Sequence, residues 1–129
     1  AWETAGHLRH LGAMPDVRPA ITEADCVVLP SYREGMPRVL LEAAAMARPV
    51  ITTDVPGCRD ALEVGKTGLL CKVRDSVSLA QACAEFIELS PEARTRMGQA
   101  GRARVEAVFD EAHVIAAYRT ALAEIAETP

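Results

Sequence analysis

The sequence predicts an α/β fold: a parallel sheet flanked by helices. Two observations predict it. Short apolar runs such as CVVL, PVITT and LLCKV alternate with stretches of helical periodicity, the pattern of strands joined by crossover helices. One of those runs, CVVLP, also leads through Glu34 and Gly35 into an apolar helix, so a strand turns into a helix at a glycine corner.

The elements follow in order. A first strand is expected near His7–Leu11, a helix around Val17–Glu23 and a strand at Cys26–Leu29. Pro37 opens a helix to about Ala47, with Met36 as its N-cap, because proline at the first helical position gives up an amide that has no partner anyway. Pro49–Thr53 reads as the next strand and Cys58–Glu63 as a short helix. Gly65 and Gly68 bracket a turn before the strand Leu69–Val73. Leu79, Ala82, Cys83, Phe86 and Ile87 recur at helical spacing, with Asp75 or Ser76 as cap. Ser90 caps a helix that starts at Pro91 and runs to about Val108. Asp110 opens the last helix, whose Val114, Ile115, Tyr118, Leu122 and Ile125 form an apolar stripe. That stripe either covers the sheet or a missing partner domain, or docks another partner. About four strands are few for a parallel sheet, so the chain reads as the latter part of a larger domain, truncated on its N-terminal side.

Composition narrows the function. The 129 residues suit one domain, and with half of them hydrophobic the chain can bury a core. Aromatics at 4% and a net charge of -4 argue against a nucleic-acid surface. The four cysteines form no C-x-x-C pair and share no zinc-ligand spacing with the three histidines. Cys26, Cys71 and Cys83 fall in apolar runs and are expected to pack as small hydrophobes, which fits a reducing, cytoplasmic setting. No apolar stretch approaches the roughly 20 residues that cross a bilayer, and the N-terminus does not read as a signal peptide.

The segment EGMPRVLLE, Glu34 to Glu42, carries the chemistry. Gly35 permits backbone angles that other residues avoid and lets a ligand approach. The amides of Arg38 and Val39 have no partner inside the helix, and with the helix dipole they favour an anion such as a diphosphate. Glu34 and Glu42 are eight residues apart, about 12 Å if both lie along one helix. That exceeds the roughly 5–9.5 Å of a glycoside-hydrolysing pair and suits holding two ends of one long ligand. Arg38, Glu42 and Ala45 share a helix face, where a carboxylate can accept two hydroxyls at once, as from a ribose diol. The plainer alternative is that Glu34 only complements a helix N-terminus and Glu42 is the one wet position on its helix.

At these residues the chain resembles a family. From ADCVVLPSYREGMPRVLLEAAAMARPVITTDVPGCRDALEVGKTGLLC it is similar to the C-terminal half of retaining glycosyltransferases of family GT4, which have the GT-B fold with Rossmann-like domains. The likeness spans about Asp16 to Leu122. It implies that Glu34 is catalytic, contacting donor-sugar hydroxyls near the reacting centre. Gly35 and Met36 would lie against the sugar, the Arg38 and Val39 amides would meet the diphosphate, and Glu42 would hold the ribose. Pro37 stands where many members have a second glycine, and Arg38 where many have an apolar residue. Gly57 and Asp60 match the following turn and are expected to shape the cleft wall.

The resemblance further implies a nucleotide-diphosphate sugar as donor, UDP-linked, with no cofactor and no metal. It also implies an acceptor-binding N-terminal domain and an Arg/Lys pair that are not seen in this chain. Residues 1–129 would then be a partial donor-binding domain with little turnover alone. TDVPGCRDALE resembles members that build bacterial surface polysaccharide on lipid-linked or saccharide acceptors, placing the protein in the cytoplasm or at the inner face of the membrane. The alternatives are a sugar-nucleotide epimerase or phosphorylase on the same architecture, or a non-catalytic binding module.

Overall fold

The computed structural model describes residues 2–126. Among them run α1 (Arg18–Glu23), β1 (Val27–Leu29), α2 (Arg38–Ala45), β2 (Val50–Thr53), α3 (Pro56–Asp60), β3 (Gly68–Cys71), α4 (Ser76–Glu88), α5 (Pro91–Val108) and α6 (Glu111–Ala126). The strands form one parallel sheet in the order β1-β2-β3. Val28 pairs with Ile51, and Ile51 with Leu69.

The central strand β2 is buried at all of its positions and splits the core in two. Successive strand side chains point to opposite faces. Val50 therefore joins Ile21, Leu40, Ala43 and Cys58 under α1, α2 and α3. Ile51 joins Leu69, Cys71, Phe86 and Met97 under α4 and α5. Leu40 and Ile51 are almost wholly removed from water, each worth roughly 2–3 kcal/mol by area.

Helix α5 reaches α2 through glycine. A Cβ on Gly98 would lie 2.0 Å from the Ala47 carbonyl oxygen, and one on Gly101 would lie 3.6 Å from the Ala44 Cβ. Helix α2 stops in a Schellman arrangement: the Arg48 amide donates to the Ala43 carbonyl at 2.9 Å and the Ala47 amide to Ala44 at 2.9 Å. This places Ala47, at φ 55°, in the left-handed region that glycine usually fills.

The expected caps of α4 and α5 are present. Asp75 accepts the Ser78 amide at 2.9 Å and Ser90 accepts the Ala93 amide at 3.2 Å. Asp110 accepts the Ala112 amide at 2.8 Å, where α6 begins.

Four expectations need correction. No strand forms at His7–Leu11, so the sheet has three strands rather than about four among the described residues. That segment is exposed, pairs with no strand and lies between Gly6 and Gly12, both at positive φ. Pro37 is the N-cap of α2 and Met36 lies outside the helix; with ψ 111° Pro37 is extended, as an N-cap must be. Helix α3 begins at Pro56 rather than Cys58, because proline supplies a helix start two residues earlier. The stripe on α6 does not cover the sheet: Val114, Ile115, Tyr118, Leu122 and Ile125 are exposed and α6 buries no residue.

Two substitutions test this packing. In a free helix Gly98→Ala would gain up to about 1 kcal/mol. Here the added methyl meets a backbone carbonyl, so urea unfolding should show a net loss of about 1–3 kcal/mol; a stabilised variant would refute the close α2–α5 approach. Ala47→Gly should raise the unfolding free energy by roughly 1 kcal/mol by relieving the left-handed alanine. A loss of stability in the same assay would contradict this.

Candidate functional site

The strands are parallel, so Leu29, Thr53 and Cys71 end on one side of the sheet. The segment 30–37 leaves β1 there and enters α2. Two buried hydroxyls fasten it to β2. Thr52 Oγ1 donates to the Leu29 carbonyl at 2.8 Å, and Thr53 Oγ1 donates to the Ser31 carbonyl. Both threonines are buried, where an unpaired hydroxyl would be costly, so these bonds fix the loop.

The loop then presses onto α3. A Cβ on Gly57 would lie 1.1 Å from the Gly35 carbonyl oxygen and 2.8 Å from that of Glu34. Only glycine fits beneath this backbone. Gly35 itself does not take a positive φ, so the freedom expected of it is not what the corner uses. A Cβ on Gly35 would meet nothing within 4 Å, leaving open space in front of it.

The predicted residues gather at this corner. Glu34 is half-buried and accepts a hydrogen bond from Ser31 Oγ at 2.6 Å. It precedes the helix, so the 12 Å helical spacing to Glu42 does not describe the pair. Gly35 and Met36 are exposed. At the start of α2 the Leu40 amide already donates to the Pro37 carbonyl at 3.1 Å. The Arg38 and Val39 amides take no acceptor among the described residues. Glu42 is half-buried and Arg38 and Ala45 are exposed, while Leu40, Ala43 and Ala44 are buried. The shared outward face therefore forms as expected, and among the described residues neither Arg38 nor Glu42 is in an ion pair.

A wide cleft lies beside this corner. It has a volume of about 760 Å³, is open to solvent, and is lined by Ser31, Tyr32, Arg33, Lys72, Arg74 and Ser76 among others. None of the six predicted site residues lines it. Ser31 joins the two places, with its hydroxyl on Glu34 and its body in the cleft wall. Ser31, Thr53, Lys72 and Arg74 were not singled out from sequence. The signal for the first two is only hydroxyl residues at strand ends. Burial pushes the thiol of Cys71, in the cleft lining, above its ordinary pKa. Among the described residues no three His, Cys, Asp or Glu side chains gather as a metal site. No described helix is long and apolar enough to cross a membrane.

A family model described as glycosyl transferases group 1 matches residues 1–88. The chain belongs to this family. It is 36% identical to a glycogen synthase of Mycobacterium tuberculosis over 105 residues, 81% of this chain and 24% of that protein. It is 30% identical to the N,N'-diacetylbacillosaminyl-diphospho-undecaprenol alpha-1,3-N-acetylgalactosaminyltransferase of Campylobacter jejuni, over 87% of this chain and 29% of that one. The structure of Anabaena HepE in complex with UDP superposes with a TM-score of 0.86 at 22% identity, covering 95% of this chain and 34% of HepE. The fold is thus that of a GT-B glycosyltransferase half, as the resemblance implied. The chain spans roughly a quarter of the length of these curated relatives.

In this chain the residue that sets the corner is Gly57. Gly57→Ala should lower the unfolding free energy by about 1–3 kcal/mol, since overpacking against backbone outweighs any helix gain. It should also shift the amide resonances of Glu34 and Gly35. A variant as stable as the parent with those resonances unmoved would show that the contact is not tight.

Proposed function

We propose that this chain is the donor-binding part of a retaining glycosyltransferase that uses a nucleotide-diphosphate sugar. The observation that carries this reading is the pair of unclaimed amides, Arg38 and Val39, at the positive end of α2 and between two half-buried carboxylates. In this reading the amides hold the diphosphate. Gly35 and Met36 line the sugar, where open space allows a close approach. Glu34, oriented by Ser31, meets sugar hydroxyls at the reacting centre. Glu42 accepts the two ribose hydroxyls.

UDP is the nucleotide we assign, supported by its presence in HepE, whose fold is shared. The transferred group is a hexosyl or N-acetylhexosaminyl unit. The acceptor is a saccharide or a lipid-linked saccharide of a bacterial surface polysaccharide or glycoconjugate, in keeping with the undecaprenol-linked acceptor in the Campylobacter relative's name. Residues 1–129 are then a partial domain. An acceptor-binding domain outside this sequence would complete the site, and the chain alone would turn over little, because such transfer depends on positioning and charge stabilisation from both sides. A cytoplasmic place, peripheral to the membrane through that other domain, completes the reading and is supported by four free cysteines.

Calorimetric titration with UDP tests it. The parent should bind, and Glu42→Ala should bind about thirtyfold more weakly, the loss expected for about 2 kcal/mol of hydrogen bonds to a charged group. Equal UDP affinity in parent and Glu42→Ala would remove the ribose role. No binding by the parent would remove the donor reading for the chain on its own.

A further inference from the structure

The wide cleft beside the corner has its own charge and its own construction. It draws residues from two loops, Ser31–Arg33 after β1 and Lys72–Ser76 after β3. Arg33, Lys72 and Arg74 bring three positive charges, and none of them is in an ion pair among the described residues. The one carboxylate in the lining, Asp75, is engaged by the Ser78 amide as the cap of α4. The loop after β3 is held in shape, because the Lys72 amide donates to Ser78 Oγ at 2.9 Å.

Arg74 stands at φ 58°, a left-handed conformation that costs a non-glycine residue on the order of 1 kcal/mol. Strain of this kind gathers at ligand clamps. Its guanidinium lies 5.2 Å from the centre of the Tyr32 ring, which ties the two loops together across the mouth. The first amides of the 13-residue α4 open at the same wall, adding the positive end of a helix to the three side chains.

The geometry points to a second anion-binding site in this cleft, for a phosphate or diphosphate group on a larger molecule, separate from the Arg38 and Val39 amides. At about 760 Å³ the space exceeds what an inorganic anion fills and falls in the range of ligand pockets. Ser31 is shared with Glu34, so the two sites adjoin. The anionic group belongs either to a soluble phosphorylated compound or to a lipid headgroup. The site stands without the donor reading, because none of the residues assigned to the donor lines it.

Inorganic pyrophosphate is the probe, followed by amide resonances of the labelled chain with and without saturating UDP. Shifts at Tyr32, Arg33 and Lys72–Ser76 that persist with UDP present are the expected result. In Lys72→Gln/Arg74→Gly the affinity for pyrophosphate should fall at least about tenfold. Glycine accepts the left-handed backbone, so this variant should keep its fold. Arg33→Gln, on the other loop, should weaken binding independently and serves if the double variant unfolds. Retention on phosphatidylglycerol vesicles but not phosphatidylcholine vesicles, lost in the double variant, would assign the anion to a headgroup. Pyrophosphate binding without retention would assign it to a soluble ligand. Displacement of pyrophosphate by UDP, no shifts at these residues, or unchanged affinity in the folded variants would overturn the proposal. Failure of UDP to bind anywhere would remove the donor reading and leave the pyrophosphate result standing.

Discussion

The structure depends on how closely one stretch of backbone approaches another. The carbonyl of Gly35 rests where any side chain at Gly57 would sit. The hydroxyls of Thr52 and Thr53 fasten the end of β1 and the loop after it to β2. Held by the Gly57 contact and by both hydroxyls, the loop is fixed against α3 and β2. The start of α2, the orientation of Glu34 and the open space before Gly35 all inherit their positions from this clamp. It is made of neutral hydrogen bonds and contact, which salt does not screen as it screens surface charge.

Charge plays a different part. The ion pairs of the described residues, such as Lys66 with Glu63 and Arg59 with Asp54, lie mostly at exposed positions. Arg104 is the exception in reach: its guanidinium touches the Glu63 carboxylate at 3.3 Å and the Asp60 carbonyl at 3.0 Å, fixing α5 to the end of α3. Arg33, Arg38, Lys72 and Arg74, near the carboxyl ends of the strands, are left out of such pairs among the described residues.

Much of this was legible in the sequence. Alternating apolar runs located β1, β2 and β3 to within a residue or two, and Asp75, Ser90 and Pro91 marked helix starts by their own chemistry. The outward face of Arg38, Glu42 and Ala45 followed from helical rotation alone. What failed had physical causes. The run at His7–Leu11 looks extended but has no strand to pair with, and pairing is a property of the whole sheet. The N-cap moved from Met36 to Pro37 because a proline satisfies either position locally. Gly35 drew attention as a corner glycine, whereas the indispensable one is Gly57, whose need arises from a neighbour far along the chain. The cleft lined by Lys72 and Arg74 was invisible for the same reason: two loops, some forty residues apart in sequence, make it together.

Helix α6 has a consequence for how the molecule comes apart. It buries none of its residues, so nothing in the sheet is lost when it unwinds. Its opening costs no buried apolar contact, while β2 opens only when both apolar clusters come apart. A single melting transition would not describe such a chain. Heating would dissolve the last sixteen-residue helix first and the α/β layer later, as two steps with separate enthalpies.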